Sequence, residues 1–202
     1  MIDTTETDLL PAADAADLDR LHDRLVAAAA ADGSLDLAYR TIDSPLGPLL
    51  LAATDRGVVR LAYQQEGHDR VLETLALRVS PRILRAPGRL DEPARQLEAY
   101  FAGSQHALDL PVDLRLATGF RRQVLDHLAT IGYGRTQSYT AVAAATGRPR
   151  AVRAVGSACA TNPVPVIVPC HRVLRSDGTL GGYIGGLEAK RTLLDLETLG
   201  FA

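Results

Sequence analysis

A proline-rich run constrains this chain more than any other part of its sequence. The run is NPVPVIVPCHRV, residues 162–173, with prolines at its second, fourth and eighth positions. Proline fixes φ, lacks a backbone donor and excludes a regular helix. The valines and the isoleucine between the prolines therefore predict a rigid, extended and largely buried segment. This segment delivers Cys170 and His171 at its end.

Cys170 is a candidate nucleophile because a stiff chain holds its thiol in place. A cysteine reacts as the thiolate, and its free pKa of about 8.5 means that a base or a positive field must assist at neutral pH. His171 and Arg172 follow directly. Neighbouring side chains on an extended chain point apart, so the imidazole serves the thiol, directly or through water, only if the backbone makes a helical turn there.

Composition and cysteine content favour a globular protein of a reducing compartment. The 202 residues are 47% hydrophobic and 23% charged, which excludes a wholly disordered chain. The first residues, MIDTTETDLL, are acidic where a signal peptide is basic, and no apolar run reaches the roughly 18 residues of a membrane span. Two cysteines make no disulfide framework, and Cys159, in an alanine-rich stretch without a nearby base, is predicted to be inert. We expect a cytoplasmic protein without membrane association.

The charge of the chain is distributed unevenly. Residues 1–116 carry a net charge of -7 and residues 117–202 a net charge of +5. A basic part is compatible with a polyanionic partner such as a nucleic acid, although a pI near 6.2 argues against tight non-specific binding. The two cysteines and five scattered histidines match no metal-ligand spacing, so we predict no metal and no cofactor.

The pattern divides the chain into three segments. Residues 1–38 are predicted to be an acidic extension whose stretch 14–32 has the apolar spacing of a helix, with Gly33 as its end. Residues 39–116 are predicted to form a small N-terminal α/β scaffold domain, and residues 117–202 a mainly helical C-terminal domain. The expected fold class is α+β, with an antiparallel sheet in the first domain and a helix-turn-helix in the second.

Short apolar runs open the scaffold domain. The runs AYRTI, PLLLAAT and VVRLAY are separated by the turn signals SPLG and DRG, which predicts an antiparallel meander. Helical spacing then predicts one helix over His68–Val79 and a second over Asp91–Phe101, with Pro93 in its first turn. No nucleophile stands out in this part of the sequence, and a scaffold is the expected role.

Three helices are predicted at the start of the C-terminal domain. Thr118 and Ser138 are candidate N-caps, the latter for a helix over Tyr139–Thr146, and a third helix runs from about Pro149 to Ala160. Short helices joined by a tight glycine-containing turn resemble a helix-turn-helix. Small residues on the third helix favour either a close approach to DNA or a packing face with solvated arginines. These small residues include Ala151, Ala154 and Gly156.

A glycine-rich loop and a last helix follow the cysteine. The loop SDGTLGGYIGG carries Tyr183 as its one aromatic residue, which suits a lid or the wall of a base-sized pocket. The last helix, about Leu187–Leu199, carries Glu197. That carboxylate could complete a Cys–His–acid relay, but its position in the pattern favours a solvated helix charge.

The motifs from Phe120 to Glu197 closely resemble those of the O6-alkylguanine-DNA alkyltransferases. FRRQVLDHL, GRTQSY, RAVRAVGSA, NPVPVIVPCHRV, SDGTLGGY and GLEAKRTLL occur in the family's order. SPLGPLLLAATDRGVVRLAY resembles, more weakly, the opening strands of the family's N-terminal domain. The resemblance covers most of residues 39–199 and leaves out residues 1–38.

The resemblance implies a role for each matching residue of the catalytic centre. Cys170 matches the alkyl-accepting thiolate, and His171 matches the base that removes its proton through a bound water. Glu197 matches the acid that orients this histidine. Asn162 matches the asparagine that braces the active-site loop, and Tyr139 matches the tyrosine that rotates the phosphate and polarises guanine N3.

The resemblance also implies a DNA surface and a guanine pocket. Arg153 matches the arginine finger that fills the gap left by a flipped base, and the helix-turn-helix enters the minor groove. The residues implied to contact DNA beside the finger are Tyr139, Ala151, Ala154 and Gly156. The residues implied to form the pocket are Tyr183, Val173, Ser176 and Pro165.

A stoichiometric repair reaction follows from this resemblance. The family's members take the alkyl group from O6-alkylguanine, and from O4-alkylthymine, in double-stranded DNA after flipping the base. The product is a thioether that water does not cleave, so each molecule acts once. The resemblance implies a monomer without a cofactor, located in the cytoplasm at the bacterial nucleoid.

Three other interpretations remain open at the level of sequence. A reader of alkylated DNA would bind the lesion without repairing it, although the readers of this family lack the cysteine that stands here at position 170. A cysteine hydrolase would use Cys170 and His171 over many turnovers on an ester or amide. A transcription factor would use the helix-turn-helix on undamaged DNA of defined sequence.

Overall fold

The computed structural model describes residues 14–199. Residues 1–13 of the predicted extension lie outside this part. The chain divides into two compact units, residues 1–35 and residues 36–202. The described part of the first unit contains helix α1, Ala15–Ala31, whose N-cap Asp14 accepts from the backbone of Ala16. The helix predicted for this stretch is confirmed, and the apolar side chains that predicted it are more than half exposed: Leu18, Leu21 and Leu25.

The second unit begins with a four-stranded sheet in the order β3-β2-β1-β4. The predicted meander is confirmed as β1 (Leu37–Ile42), β2 (Leu49–Thr54) and β3 (Gly57–Tyr63), which pair antiparallel. The fourth strand, β4 (Ile83–Arg85), pairs parallel with β1 and was not predicted. Three residues are too few to show the alternation by which a strand is predicted.

Two helices accompany the sheet. Helix α2, His68–Arg78, buries Val71 and Leu75, one turn apart, against the sheet. Helix α3, Asp91–Phe101, has the predicted bounds and buries Tyr100. The core beneath α2 also contains Leu37, Leu50, Ala52, Val59, Ala62 and Leu116. Burial of these aliphatic side chains stabilises the sheet, including its edge strand β3.

The predicted helical part is confirmed, with changes at the helix ends. Its helices are α4 (Gly119–Leu128), α5 (Tyr139–Ala145), α6 (Val152–Ala160) and α7 (Gly186–Leu199). The hydroxyl of Ser138 caps α5 as predicted, by accepting from the backbone of Ala141 at 3.1 Å. Thr118 occupies the N-cap position of α4 as predicted, but its side chain makes no capping hydrogen bond.

The third predicted helix begins later than expected. Residues 148–151 form a turn in which the Ala151 amide donates to the Arg148 carbonyl at 2.8 Å, and α6 starts at Val152. Helices α5 and α6 and this turn form the predicted helix-turn-helix, and Gly147 leaves α5 with φ of 73°. The α+β fold class is thereby confirmed, while the domain boundaries at residues 38 and 116 stay predictions.

The proline-rich segment is buried as predicted, but it is not extended. The amide of Val168 donates to the carbonyl of Val164 at 2.9 Å, so the chain folds back on itself, and Val166 adopts φ of 71°. Buried backbone groups need partners, and a folded segment supplies them internally. Its start is tied to the sheet, because the amide of Leu61 in β3 donates to the carbonyl of Pro163 at 2.9 Å.

A second, two-stranded sheet joins the helix-turn-helix to the chain after the cysteine. Strand β5, Gln137–Ser138, pairs parallel with β6, Val173–Leu174. This pairing places the start of α5, at Tyr139, beside the residues that follow Cys170–Arg172. Within residues 14–199 the structure contains no helix that combines the length and the apolar character of a membrane span.

Candidate active site

Cys170 opens a single turn of 3-10 helix, Cys170–Arg172, and is 1% exposed. The helical turn on which the use of His171 depended is therefore present. The sulfur of Cys170 accepts a hydrogen bond from the side-chain amide of Asn162 at 3.2 Å. The thiol is thus enclosed and held by a polar contact at the end of the folded proline-rich segment.

Asn162 ties this segment together. Its Nδ2 donates to the carbonyl of Val168 at 2.8 Å as well as to the sulfur of Cys170, and its Oδ1 accepts from the amide of Val164 at 3.1 Å. The residue is fully buried. One side chain therefore links the first, middle and last parts of the segment, which fits the bracing role that the resemblance implies.

His171 is fully buried and pairs with Glu197 across 2.8 Å, Nε2 to Oε1. A carboxylate accepts only, so Nε2 carries the ring proton and Nδ1 of the neutral imidazole holds the basic lone pair. Within the described residues Nδ1 has no hydrogen-bond partner. The ring is therefore oriented so that its basic nitrogen remains available for a proton.

Glu197 is 1% exposed, so the expectation of a solvated helix charge is wrong. Arg172 donates to both carboxylate oxygens, with its Nη2 at 2.7 Å from Oε1 and its Nε at 2.9 Å from Oε2. The hydroxyl of Tyr100 donates to Oε1 at 2.7 Å and the amide of Gly134 to Oε2 at 3.1 Å. Burial raises the pKa of Glu197, but these donors with His171 outweigh it and bring the pKa to about 2.

At rest, the thiol of Cys170 and the imidazole of His171 are both neutral. Burial raises the pKa of Cys170 to about 11, although the bond from Asn162 and the charge of Lys190 act in the opposite direction. Burial likewise lowers the pKa of His171, against the effect of Glu197. A reaction at this sulfur must therefore include transfer of its proton.

Lys190 is a buried cation that the sequence analysis missed. Its ammonium donates to the carbonyl of Val173 at 2.6 Å and lies 3.5 Å from the carbonyl of Gly181. Burial lowers its pKa, and attraction to Cys170 and Cys159 opposes that effect. The signal was its helical spacing, since Lys190 lies three residues before the buried Leu193 on α7.

A cavity of about 520 Å³ lies between α6 and the glycine-rich loop. Four residues that the resemblance assigned to DNA or to the pocket line it: Tyr139, Arg153, Gly156 and Tyr183. Ile184 and Arg175 are further lining residues that were not predicted. The volume is in the range of ligand pockets and suits an object of the size of a base.

The other predicted residues lie outside the wall of this cavity. Ala151 and Ala154 lie at the start of α6, where Ala154 is exposed. Val173 and Pro165 are buried, and the hydroxyl of Ser176 shares a hydrogen bond with Thr140 at 3.2 Å. Their assigned roles stay predictions.

Two glycines let tyrosine rings pack against the loop backbone. A Cβ at Gly181 would lie 2.4 Å from the hydroxyl of Tyr139, and one at Gly185 would lie 2.6 Å from the ring of Tyr63. Tyr63 on β3 also shares a hydrogen bond with Tyr183 at 2.8 Å, hydroxyl to hydroxyl. The loop therefore packs against the start of α5 and against strand β3, and Tyr63 is a contact that sequence reasoning missed.

Residues 14–199 contain no group of three or more histidine, cysteine, aspartate or glutamate side chains that could hold a metal ion. Cys159 is buried on α6, and burial raises its pKa to about 12.

Two family models match the chain. Residues 37–114 match the ribonuclease-like domain of 6-O-methylguanine DNA methyltransferase, and residues 119–199 match the DNA binding domain of the same family. Two relatives are named methylated-DNA–protein-cysteine methyltransferase. The one from Methanosarcina barkeri is 42% identical over 159 residues, which are 79% of this chain and 96% of the relative. The one from Mycobacterium bovis is 44% identical over 159 residues, 79% of this chain and 91% of the relative.

The fold also matches solved structures. The crystal structure of Mycobacterium tuberculosis OGT in complex with DNA has a TM-score of 0.71 and 42% sequence identity, over 81% of this chain and 94% of that chain. The two family models and the shared name of the relatives place the chain in a class of methyltransferases that act on DNA. The chain belongs to the 6-O-methylguanine DNA methyltransferase family, and it is a DNA repair methyltransferase.

Proposed function

We propose that this protein transfers the alkyl group of O6-alkylguanine, and of O4-alkylthymine, in double-stranded DNA to Cys170, once per molecule. The observation that supports this most is the buried thiol of Cys170 next to the oriented pair of His171 and Glu197. These groups supply what an alkyl acceptor needs: a soft nucleophile, a base and an anion that stabilises the protonated base.

His171 acts as the base in the first step. Its Nδ1 takes the thiol proton of Cys170 through a water, and Glu197 stabilises the resulting imidazolium through Nε2. The amide of Asn162 donates to the sulfur and so stabilises the thiolate. The thiolate then forms an S–C bond to the alkyl carbon while the C–O6 bond breaks. The departing guanine anion takes up one proton from water, and the imidazolium of His171 returns the thiol proton to water, so protons and charge balance.

Base flipping is required because Cys170 is 1% exposed. A stacked guanine cannot reach the sulfur, and extrusion costs a few kcal/mol in such enzymes. The 520 Å³ cavity receives the flipped base, with Tyr183 as a wall and Tyr139 at guanine N3. Arg153 occupies the gap in the duplex. Val173, Ser176 and Pro165 do not line this cavity, and we assign them to the guanine pocket from the resemblance to the family alone.

Helix α6 enters the minor groove. Ala151, Ala154 and Gly156 leave room for the backbone of the duplex to come close. The bound protein is a monomer and uses no cofactor, and it works in the cytoplasm at the nucleoid, where its substrate is.

The reaction ends with the first transfer. A thioether is not cleaved by water at neutral pH, and Cys159, the other cysteine, is buried with its pKa raised to about 12, so it is a poor thiolate to take the group away from Cys170. The protein is therefore consumed in proportion to the lesions that it repairs.

Intact-protein and peptide mass spectrometry after mixing with a duplex that contains one O6-methylguanine tests this proposal. We expect one added methyl group on the Cys170 peptide, in one-to-one yield. Cys170→Ser should bind the duplex without gaining mass, because a serine hydroxyl is a far weaker nucleophile at this pH. Cys159→Ser is the matched control and should be methylated like the wild type.

Other outcomes point to other functions. Binding of the lesion without added mass on the wild type would make the protein a reader of alkylated DNA. Multiple turnover on an ester or amide would indicate a cysteine hydrolase. Stoichiometric transfer by Cys170→Ser would show that another residue accepts the group.

A further inference from the structure

A second cavity, of about 360 Å³, lies where α2, β3, α4 and the start of the proline-rich segment meet. Its wall combines Arg60 of β3, Arg70 and Arg78 of α2, and Arg121 of α4 with one acid, Glu66. Four guanidinium groups around one cavity repel each other unless anions compensate them. None of these arginines takes part in the site around Cys170.

The basic residues that α2 contributes to this wall lie on one face of the helix because of their spacing in the sequence. Arg70, Thr74 and Arg78 are four residues apart on α2, so they share one face, which lines the cavity beside the buried Val71 and Leu75. Arg78 forms no ion pair within the described part of the chain. Thr74 donates its hydroxyl to the carbonyl of Arg70 and adds no charge.

Only one of the four arginines is compensated. Arg60 and Glu66 form an ion pair with both side chains largely buried, and Arg60 also donates to the carbonyl of Pro163 at 3.0 Å. Arg70 donates to the backbone carbonyl of Glu66 at 2.9 Å, which is a neutral acceptor. An excess of three positive charges therefore remains on Arg70, Arg78 and Arg121.

Arg121 supplies an unpaired buried donor. Its Nη2 donates to the carbonyl of Leu116 at 3.0 Å, while its Nε is buried and has no hydrogen-bond partner among residues 14–199. A buried donor without an acceptor is unfavourable, and native structures contain few of them. Burial lowers the pKa of Arg121, and the neighbouring charges of Arg78 and Arg60 lower it further.

We propose that this cavity is a binding site for a phosphate-type oxyanion. The planar guanidinium forks of Arg70, Arg78 and Arg121 match the oxygens of a phosphate, and the free Nε of Arg121 gains an acceptor. Free phosphate is one source of this anion. A phosphodiester of nucleic acid is the other, because the cavity shares Ala160 and Ile184 with the 520 Å³ cavity.

Calorimetric titration of the full chain with inorganic phosphate, at ionic strength matched with chloride, tests the site. We expect one saturable site in the wild type and at least about a tenfold loss of affinity in Arg78→Gln/Arg121→Gln. The matched control is Arg122→Gln, because Arg122 lies next to Arg121 on α4 but is exposed and paired with Asp126. Arg78→Gln alone changes an exposed side chain, which keeps the test valid if the double variant does not fold.

The salt dependence of binding to an undamaged duplex distinguishes the two sources. If a phosphodiester occupies the cavity, the slope of log K against log salt falls by about one charge in Arg78→Gln/Arg121→Gln. If free phosphate occupies it, that slope is unchanged while the variant still loses phosphate affinity. The proposal is overturned if phosphate binds the variants as tightly as the wild type, or if the wild type shows no saturable binding.

Discussion

The imidazole of His171 and the carboxylate of Glu197 lie 2.8 Å apart, although 26 residues separate them in the chain. The pair is fully enclosed, and the same carboxylate neutralises Arg172. Glu197 therefore has two tasks: it fixes the tautomer of the base, and it compensates a buried cation. Substituting it affects chemistry and stability together.

Glu197→Gln should lower both the rate of alkyl transfer and the stability. Loss of the carboxylate leaves Arg172 uncompensated, which costs about 3 kcal/mol or more. The folded pKa of about 2 lies below the usual 4.5, so this stabilisation is complete above pH 4.5 and is lost as pH falls towards 2. Urea denaturation at several pH values should show a loss of about 3 kcal/mol over that interval in the wild type and a flatter profile in the variant.

The matched control for this substitution is Glu188→Gln. Glu188 lies in the first turn of the same helix and is exposed. Its variant should keep the wild-type rate and the wild-type acid profile. An unchanged transfer rate in Glu197→Gln would contradict the role assigned to the carboxylate.

Gly181→Ala should impair the site, because its Cβ would lie 2.4 Å from the hydroxyl of Tyr139. The ring must move, and with it the wall of the cavity. Gly182→Ala is the control, since a Cβ at Gly182 meets nothing within 4 Å. Single-turnover transfer from a methylated duplex should be at least about tenfold slower in Gly181→Ala. Equal rates in the two variants would show that the position of Tyr139 has no influence.

Lys190→Met should make the thiol harder to ionise. The positive charge of Lys190 lowers the pKa of Cys170, so its removal raises that pKa further above about 11. Alkylation of Cys170 by iodoacetamide, followed between pH 7 and 10 by mass spectrometry, should be slower at each pH than in the wild type. Arg191→Met changes an exposed neighbour and should leave the profile unaltered. A faster reaction in Lys190→Met would mean that the charge does not act on the sulfur.

Arg153→Ala should weaken the repair of a duplex far more than transfer from the free O6-alkylguanine base. The side chain lines the cavity and is exposed, and its proposed task arises only when a base is flipped from a duplex. Arg150→Ala removes an exposed arginine before the same helix and is the control. The ratio of the two single-turnover rates is the measurement. Equal losses on both substrates would show that Arg153 does not fill the gap.

Local pattern predicted the elements whose signal lies within one stretch of sequence. The bounds of α3 and the hydroxyl cap at Ser138 are decided by neighbouring residues, whereas the turn at Cys170 was only a condition for the use of His171. The start of α6 and the path of the proline-rich segment were predicted less well. Proline excludes a helix, but it does not choose between an extended chain and a folded one, and burial made that choice through the hydrogen bonds of Val164 and Val168.

The parts of the site that escaped prediction depend on contacts between distant stretches. Tyr100 reaches Glu197 from a helix of the sheet domain, and Tyr63 reaches Tyr183 from a strand. Nothing near Glu197 in the sequence distinguishes it from a surface acid. Its role was assigned by the resemblance to a family. The fold shows five donor atoms around its carboxylate: two from Arg172 and one each from His171, Tyr100 and the backbone of Gly134.

The enclosure of Cys170 has a meaning for the lifetime of the protein in a cell. Peroxide and other oxidants attack exposed thiolates, and this sulfur is 1% exposed and protonated at rest. A catalyst that turns over many times can lose some copies to oxidation at little harm to its output. A protein consumed by a single reaction cannot, because every oxidised copy is one repair fewer. Burial therefore keeps each molecule usable until a damaged base is delivered to it.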